Sequence, residues 1–289
     1  MALPSHDTLV SYPDGATAST GTVLHVEPLD DGLSAVILDT TAFHPVDTAW
    51  PDQPSDRGVL RGPSGEARIE RAVMGGIRDG ALHLGADLPV RTGTEGWTFV
   101  VAHLVDGAAP ADGERVEVVV DAELRAALCA GHTACHLASL ALDGALAGAW
   151  TKETPLDALG HPAFDQLAIV TSRIHEHGSI DTYRVGKSLR RKGFAPAGLD
   201  DLSAVAARAN VLLSDWVGAG GAVRIERDGD AITARRTWVC ALPDGEVRIP
   251  CGGTHVDDLS AFAGIEVVLE RSDIDGAIEL VMTTTARMA

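Results

Sequence analysis

The spacing of hydrophobic positions changes once along the chain, near residue 120. Before that point apolar residues fall in short β-branched runs. Thr22–Val26 and Ser34–Leu38 are separated by Asp30-Asp31-Gly32, a turn signal. Arg68–Val73 and Ala81–Leu84 flank Arg78-Asp79-Gly80 as a hairpin does, and Glu114–Val120 is a further strand. Short strands divided by frequent glycine and proline predict a small barrel or barrel-like sheet from about Thr20 to Val120. At Asp121 the period lengthens. Asp121 is placed to cap a helix, and Leu124, Leu128, Leu137, Leu140 and Leu146 follow at helical spacing, with one irregularity near Gly131. Gln166–Ile174 then reads as a strand, Asp200–Val217 as a strongly amphipathic helix and Ala222–Glu226 as a strand. Ile265–Leu269 and Ala277–Met282 read as a closing hairpin around Asp275-Gly276. The expected fold class is α+β: a β-barrel-like N-terminal domain over residues 1–120, then a mixed α/β domain over 121–289.

Composition adds exclusions. A length of 289 residues suits about two domains, and 45% hydrophobic residues are ordinary for a chain with a buried core. The start, Met-Ala-Leu-Pro-Ser-His-Asp, does not read as a signal peptide. The most apolar helical stretch, Leu137–Trp150, is too short for a membrane span and contains Asp143, so a cytoplasmic protein with no membrane partner is expected. The formal charge of −18 argues against non-specific coating of DNA or RNA, although a local basic patch remains compatible with it. Cysteines at 129, 135, 240 and 251 are too sparse for a disulfide framework, which leaves metal binding or plain burial. The sequence carries no sign of oligomeric state.

Two segments carry candidate chemistry. His132 and His136 stand four residues apart inside the expected helix, where both imidazoles share one face and can share a metal. No glutamate occupies position 133, so this is not the HExxH pattern of zinc proteases. Alone, the pair fits core or surface histidines equally. Cys251-Gly252-Gly253-Thr254-His255 follows Pro250, which disfavours a helix; its glycines permit positive φ and a tight turn that brings a thiolate and an imidazole together. Alone, this too fits a glycine turn with a buried cysteine. Together the segments supply three nitrogens and one sulfur, a donor set that suits zinc better than magnesium or calcium. Four protein ligands suit a closed structural site, and catalysis there needs a loose ligand or a fifth one.

His132-Thr133-Ala134-Cys135-His136-Leu137 on a helix, with Cys251–Val256 more than a hundred residues later, resembles the editing domain of alanyl-tRNA synthetase and its freestanding trans-editing relatives. Gly264-Ile265 after the second motif, and Leu38–Phe43 and Gln53–Gly58 upstream, extend the likeness from about residue 20 to the end. The resemblance implies a zinc-dependent hydrolase that frees a misacylated amino acid, such as serine or glycine on the alanine tRNA, from the tRNA 3′ end. His132, His136, Cys251 and His255 are then the zinc ligands, with His132 and His136 serving catalysis through the metal. Thr41 matches a threonine whose hydroxyl recognises a substrate hydroxyl. No Gly-x-Ser-x-Gly elbow is present. Cys129, one turn before His132, reads as a buried apolar residue, and Cys135 is given no chemistry.

The chain departs from the family pattern just after Thr41. Relatives carry Phe-Tyr-Pro, a run of glycines and then glutamine; here the stretch is Phe43-His44-Pro45 through Trp50 to Gln53, without glycine. His44, Trp50 and Gln53 are candidate substrate contacts in an altered pocket, with a solvent loop as the alternative for His44 and Trp50. Arg184, Lys187, Arg190, Arg191 and Lys192 place five cations in nine residues with no acid among them, a candidate contact for tRNA phosphate or a solvated helix end. Because the 44–53 loop is rebuilt, a threonine analogue such as fluorothreonine on threonine tRNA is an alternative substrate. A non-catalytic tRNA- or synthetase-binding module with structural zinc is a second alternative, and a general metalloesterase a third.

Overall fold

The computed structural model describes residues 3–289. In chain order the strands are β1 (Leu9–Val10), β2 (Ala18–Pro28), β3 (Ser34–Leu38), β4 (Thr40–Thr41), β5 (Gly58–Gly62), β6 (Gly65–Arg78), β7 (Ala81–Leu84), β8 (Thr98–Asp106) and β9 (Arg115–Val120). There follow α1 (Ala122–Ala145), α2 (Phe164–Ala168), β10 (Ile169–His175), β11 (Gly178–Val185), α3 (Lys187–Arg191) and α4 (Leu202–Ala219). The chain closes with β12 (Val223–Arg227), β13 (Arg236–Leu242), β14 (Gly245–Pro250), β15 (Phe262–Ile274) and β16 (Ala277–Met288). The content is mixed α+β and rich in sheet. No helix among the described residues is long and apolar enough to cross a membrane.

Two compact units emerge, and neither is a single stretch of chain. The first comprises Met1–Ala126, Ile225–Thr237 and Pro250–Thr254; the second comprises Ala127–Arg224, Trp238–Ile249 and His255–Ala289. The chain passes from one to the other inside α1 and again between Thr254 and His255.

The first unit is built on a seven-stranded sheet ordered β5-β9-β2-β3-β8-β6-β7, and a further β5–β6 pairing returns the hydrogen-bonded circuit to its start. β8 explains how this sheet buries two faces. Phe99, Val101 and Val105 enter one apolar cluster with Val36, Leu38 and Phe43, while Val100, Ala102 and Leu104 enter another with Ala35 and Ile37. Successive side chains of a strand point to opposite faces, so a strand covered on both sides shows no polar alternation.

The second unit holds a four-stranded sheet ordered β10-β11-β16-β15. β15 and β16 pair from Ile274↔Ala277 outward in a long hairpin, extending the expected one at both ends. α4 packs on β15 with Val205, Ala209, Leu213 and Trp216 buried, and the Asn210 side chain bonds both the N–H and the carbonyl of Val267. Its cap is Asp201, whose carboxylate accepts the Ala204 N–H.

One expectation for this half is corrected. Gln166–Ala168 do not open a strand: they lie in α2, and the strand begins at Ile169. The Asp143 carboxylate accepts the Asp165 N–H at 2.7 Å, which ties down the first turn of that helix. Asp143 is buried within apolar α1, and burial pushes its pKa up to about 9, so it enters the core as a neutral acid. α1 runs continuously from Ala122 to Ala145 through the irregularity at Gly131, as the helical spacing predicts. A side chain there is excluded, because a Cβ on Gly131 would lie 2.2 Å from the His175 carbonyl oxygen.

Candidate metal centre

Asp121 starts α1 by accepting the N–H groups of Glu123 and Leu124, and from that start the phase of the helix is set. His132 and His136, one turn apart, then lie with ring centroids 4.9 Å apart and planes 22° from parallel. His255 completes a trio, its ring centroid 4.3 Å from that of His132 and 5.2 Å from that of His136. The candidate ligand atoms of the three lie within 4.8 Å of one another. Trp238, fully buried on β13, stacks on His136 at 4.9 Å and closes one side of the cluster with an apolar ring.

The donor chemistry fits a metal. His136 Nε2 is buried with no hydrogen-bond partner, an uncommon condition for a buried nitrogen. Burial pushes the His136 pKa down to about 4, which keeps the ring neutral at pH 7, as a ligating imidazole must be. His132, His136, Cys251 and His255 are a His/Cys group that could hold a metal ion. Burial holds the Cys251 thiol up at about 12, and the Gly253 N–H approaches its sulfur at 3.5 Å. Coordination would have to deprotonate that thiol. The expected positive φ of the glycine turn is absent: neither Gly252 nor Gly253 adopts one. The Gly253 amide faces the sulfur instead, so the turn needs no left-handed residue.

Gln53 acts on the second motif. Its side-chain amide donates to Thr254 Oγ1 at 2.9 Å and its carbonyl accepts the Thr254 N–H at 3.2 Å, a two-bond clamp on the residue before His255. Thr41 is fully buried, its Oγ1 lies 2.8 Å from His103 Nε2, and it accepts the Phe43 N–H at 3.1 Å. His103 Nδ1 lies 3.0 Å from the Val36 carbonyl, so that nitrogen carries the proton and Nε2 accepts from the threonine. The Thr41 hydroxyl thus donates to His103 and accepts the Phe43 N–H within the first unit.

His44 is also buried, edge-on to Tyr12, with its N–H on the Asp56 carboxylate at 2.6 Å. Trp50 is 42% exposed, in a segment shaped by an Asp47 carboxylate that accepts the Ala49 N–H. Arg184, Lys187, Arg190, Arg191 and Lys192 are all exposed. Arg184 and Lys187 line a cleft of about 490 Å³ with Gly186, Ser188 and the acid Asp275, whereas Arg190 is drawn onto the Gly276 carbonyl.

Sequence reasoning missed the roles of four residues. Asp56 and Arg125 form a buried ion pair in which the guanidinium also donates to the Ala42 and Ala16 carbonyls. Trp238 and Thr133 border the imidazoles. The lone arginine on the apolar face of α1 was the one available signal for the ion pair.

Comparison with known proteins places this geometry in context. The alanine–tRNA ligase of Caldivirga maquilingensis is 28% identical over 260 residues, 86% of this chain and 24% of its own length. That of Pyrobaculum neutrophilum is 26% identical over 263 residues, with the same coverage of each chain. That of Thermofilum pendens is 36% identical over 111 residues, 38% of this chain and 10% of its own. No family model matches. The chain spans about a quarter of the length of the first and longest-matching of these curated relatives. It is homologous to alanyl-tRNA synthetases, in agreement with the resemblance carried by the His132–His136 and Cys251–His255 motifs.

Proposed function

We propose that this relative of alanyl-tRNA synthetases is a zinc-dependent aminoacyl-tRNA deacylase of the cytoplasm, hydrolysing in trans the ester of a mischarged amino acid at the tRNA 3′ end. One observation carries the reading: three clustered imidazoles, one with a buried and unpartnered nitrogen, in a chain homologous to alanine–tRNA ligases over 86% of its length. His132, His136, Cys251 and His255 would hold the zinc, which when bound supplies Lewis-acid activation at the scissile ester. The chain's own residues bind and orient. Gln53 holds Thr254, and so the run Cys251–His255, in place. Trp238 keeps water from one side of the imidazoles. Arg184 and Lys187 offer an exposed cationic cleft for tRNA phosphate.

Thr41 and the segment from His44 to Gln53 would select the amino acid, with the Thr41 hydroxyl oriented by its bond to His103. The substrate class is seryl- or glycyl-tRNA(Ala), or a threonine-like ester. A second reading, a tRNA- or synthetase-binding module with structural zinc, draws on the four-ligand set, since closed structural sites use four protein ligands.

The deciding experiment follows deacylation of seryl-, glycyl-, threonyl-, fluorothreonyl- and alanyl-tRNA by zinc-loaded, chelator-stripped and reloaded protein. The deacylase reading expects cleavage of at least one mischarged species, sparing of alanyl-tRNA(Ala), loss on stripping and recovery on reloading. Tight tRNA binding without cleavage of any of the five would establish the second reading instead.

A further inference from the structure

We infer that Thr133 is a positioning residue that fixes the ring of His255 in the tautomer required of a metal ligand. The inference rests on the zinc reading above. Thr133 lies on α1 between His132 and His136 and is fully buried. A threonine within a helix commonly returns its hydroxyl to the carbonyl one turn earlier. Here the hydroxyl also reaches a segment more than a hundred residues away: Thr133 Oγ1 lies 3.2 Å from His255 Nδ1 and accepts the Val256 N–H at 3.2 Å.

A hydroxyl oxygen has two acceptor lone pairs. The Val256 amide occupies one, and an Nδ1–H of His255 fits the other. An imidazole protonated at Nδ1 leaves Nε2 bare, and it is the hydrogen bond at one ring nitrogen that decides which nitrogen faces a metal. One buried oxygen therefore anchors the backbone just after His255 and selects the face that its ring presents. Because Thr133 stands beside His132 on the same helix, the first metal motif orients a ligand of the second.

The test separates orientation from mere space-filling. Thr133→Val keeps the shape and removes the oxygen; Thr133→Ser keeps the oxygen; Thr133→Ala serves in place of valine where valine fails to fold. Zinc affinity is measured by competition with a chromophoric chelator, and Tm is measured with excess zinc and after chelation. The oxygen-free variants should bind zinc roughly 10- to 100-fold more weakly, and their zinc-dependent rise in Tm should shrink accordingly. Serine should restore both to near the wild-type values. Oxygen-free variants with lower Tm in both forms, but wild-type zinc affinity, would overturn the inference and leave the zinc reading standing. A wild-type protein whose Tm and chelator titration show no zinc binding would overturn the zinc reading itself, and this inference with it.

Discussion

His103 in the first unit and His136 in the second are both pushed down to about 4 by burial, yet their bonding is opposite. His103 has a partner at each nitrogen, the Val36 carbonyl and the Thr41 hydroxyl. Nearby, the Asp56 carboxylate takes the Arg125 guanidinium and the His44 amide, while His44 Nδ1 is buried without a partner. His136 has a buried nitrogen with no partner and rings stacked about it. The lowered pKa reports only that each ring is neutral. Buried nitrogens without a partner also occur on His25, His44 and His161; what distinguishes His136 is that its own lies among two further imidazoles.

The sharpest way to break this contrast is His136→Ala. It should remove the zinc and depress deacylation of every substrate by on the order of 10²–10³-fold or more, while leaving the stability of the metal-free fold little changed. Elemental analysis and a urea titration check both halves; zinc retained at near one equivalent would refute the assignment. Arg125→Met should do the reverse. It strands the Asp56 carboxylate in the interior and should cost about 3–5 kcal/mol of unfolding free energy with zinc stoichiometry preserved. Thr41→Val is smaller, about 1–3 kcal/mol, because it leaves His103 Nε2 and the Phe43 amide without their partner. Its loss of kcat/KM should fall on seryl- and threonyl-tRNA more than on glycyl-tRNA; equal losses for all three would show that Thr41 supports the fold alone.

The most gradual effect is a pH slope. His44 and His103 bind protons near the ordinary 6.5 when unfolded but only near 4 when folded. Their contribution is complete above 6.5 and is lost as pH falls from 6.5 to 4, at up to about 1.4 kcal/mol per pH unit for each ring. Urea midpoints of metal-free protein from pH 7 to 4.5 should fall over that window. Asp143 and Asp165, both held up by burial, oppose this slope, so a flat profile in a protein with both changed to asparagine would mean that both rings protonate within the native fold.

Local chemistry was legible where it repeats a local rule. The i, i+4 histidines needed only helical phase, and Ser34–Leu38 needed only β-branching and a preceding turn. What the sequence could not disclose is which polar group meets which. Thr41 reads as a free strand hydroxyl until His103, 62 residues away, is seen to take it. β8 went unread because both of its faces are covered, and β13 with Trp238 because a buried apolar run carries no period. The start of α2 depends on Asp143, 22 residues distant from the amide it receives.

Gly131, directly before His132, carries a practical consequence. An added methyl there would strike the His175 carbonyl oxygen at 2.2 Å and the backbone of Gly178 at under 3 Å, and a methyl on Gly178 would in turn meet the Thr284 carbonyl at 2.3 Å. The spacing between α1 and the β10–β11 turn is therefore set by the missing side chain of Gly131, and that between the turn and β16 by the missing side chain of Gly178. At most positions an alanine substitution trims atoms away, but at these two it adds one. Here the informative scan adds mass, one carbon at a time, and Gly131→Ala becomes a ruler for how far the first histidine can be displaced before the cluster disperses.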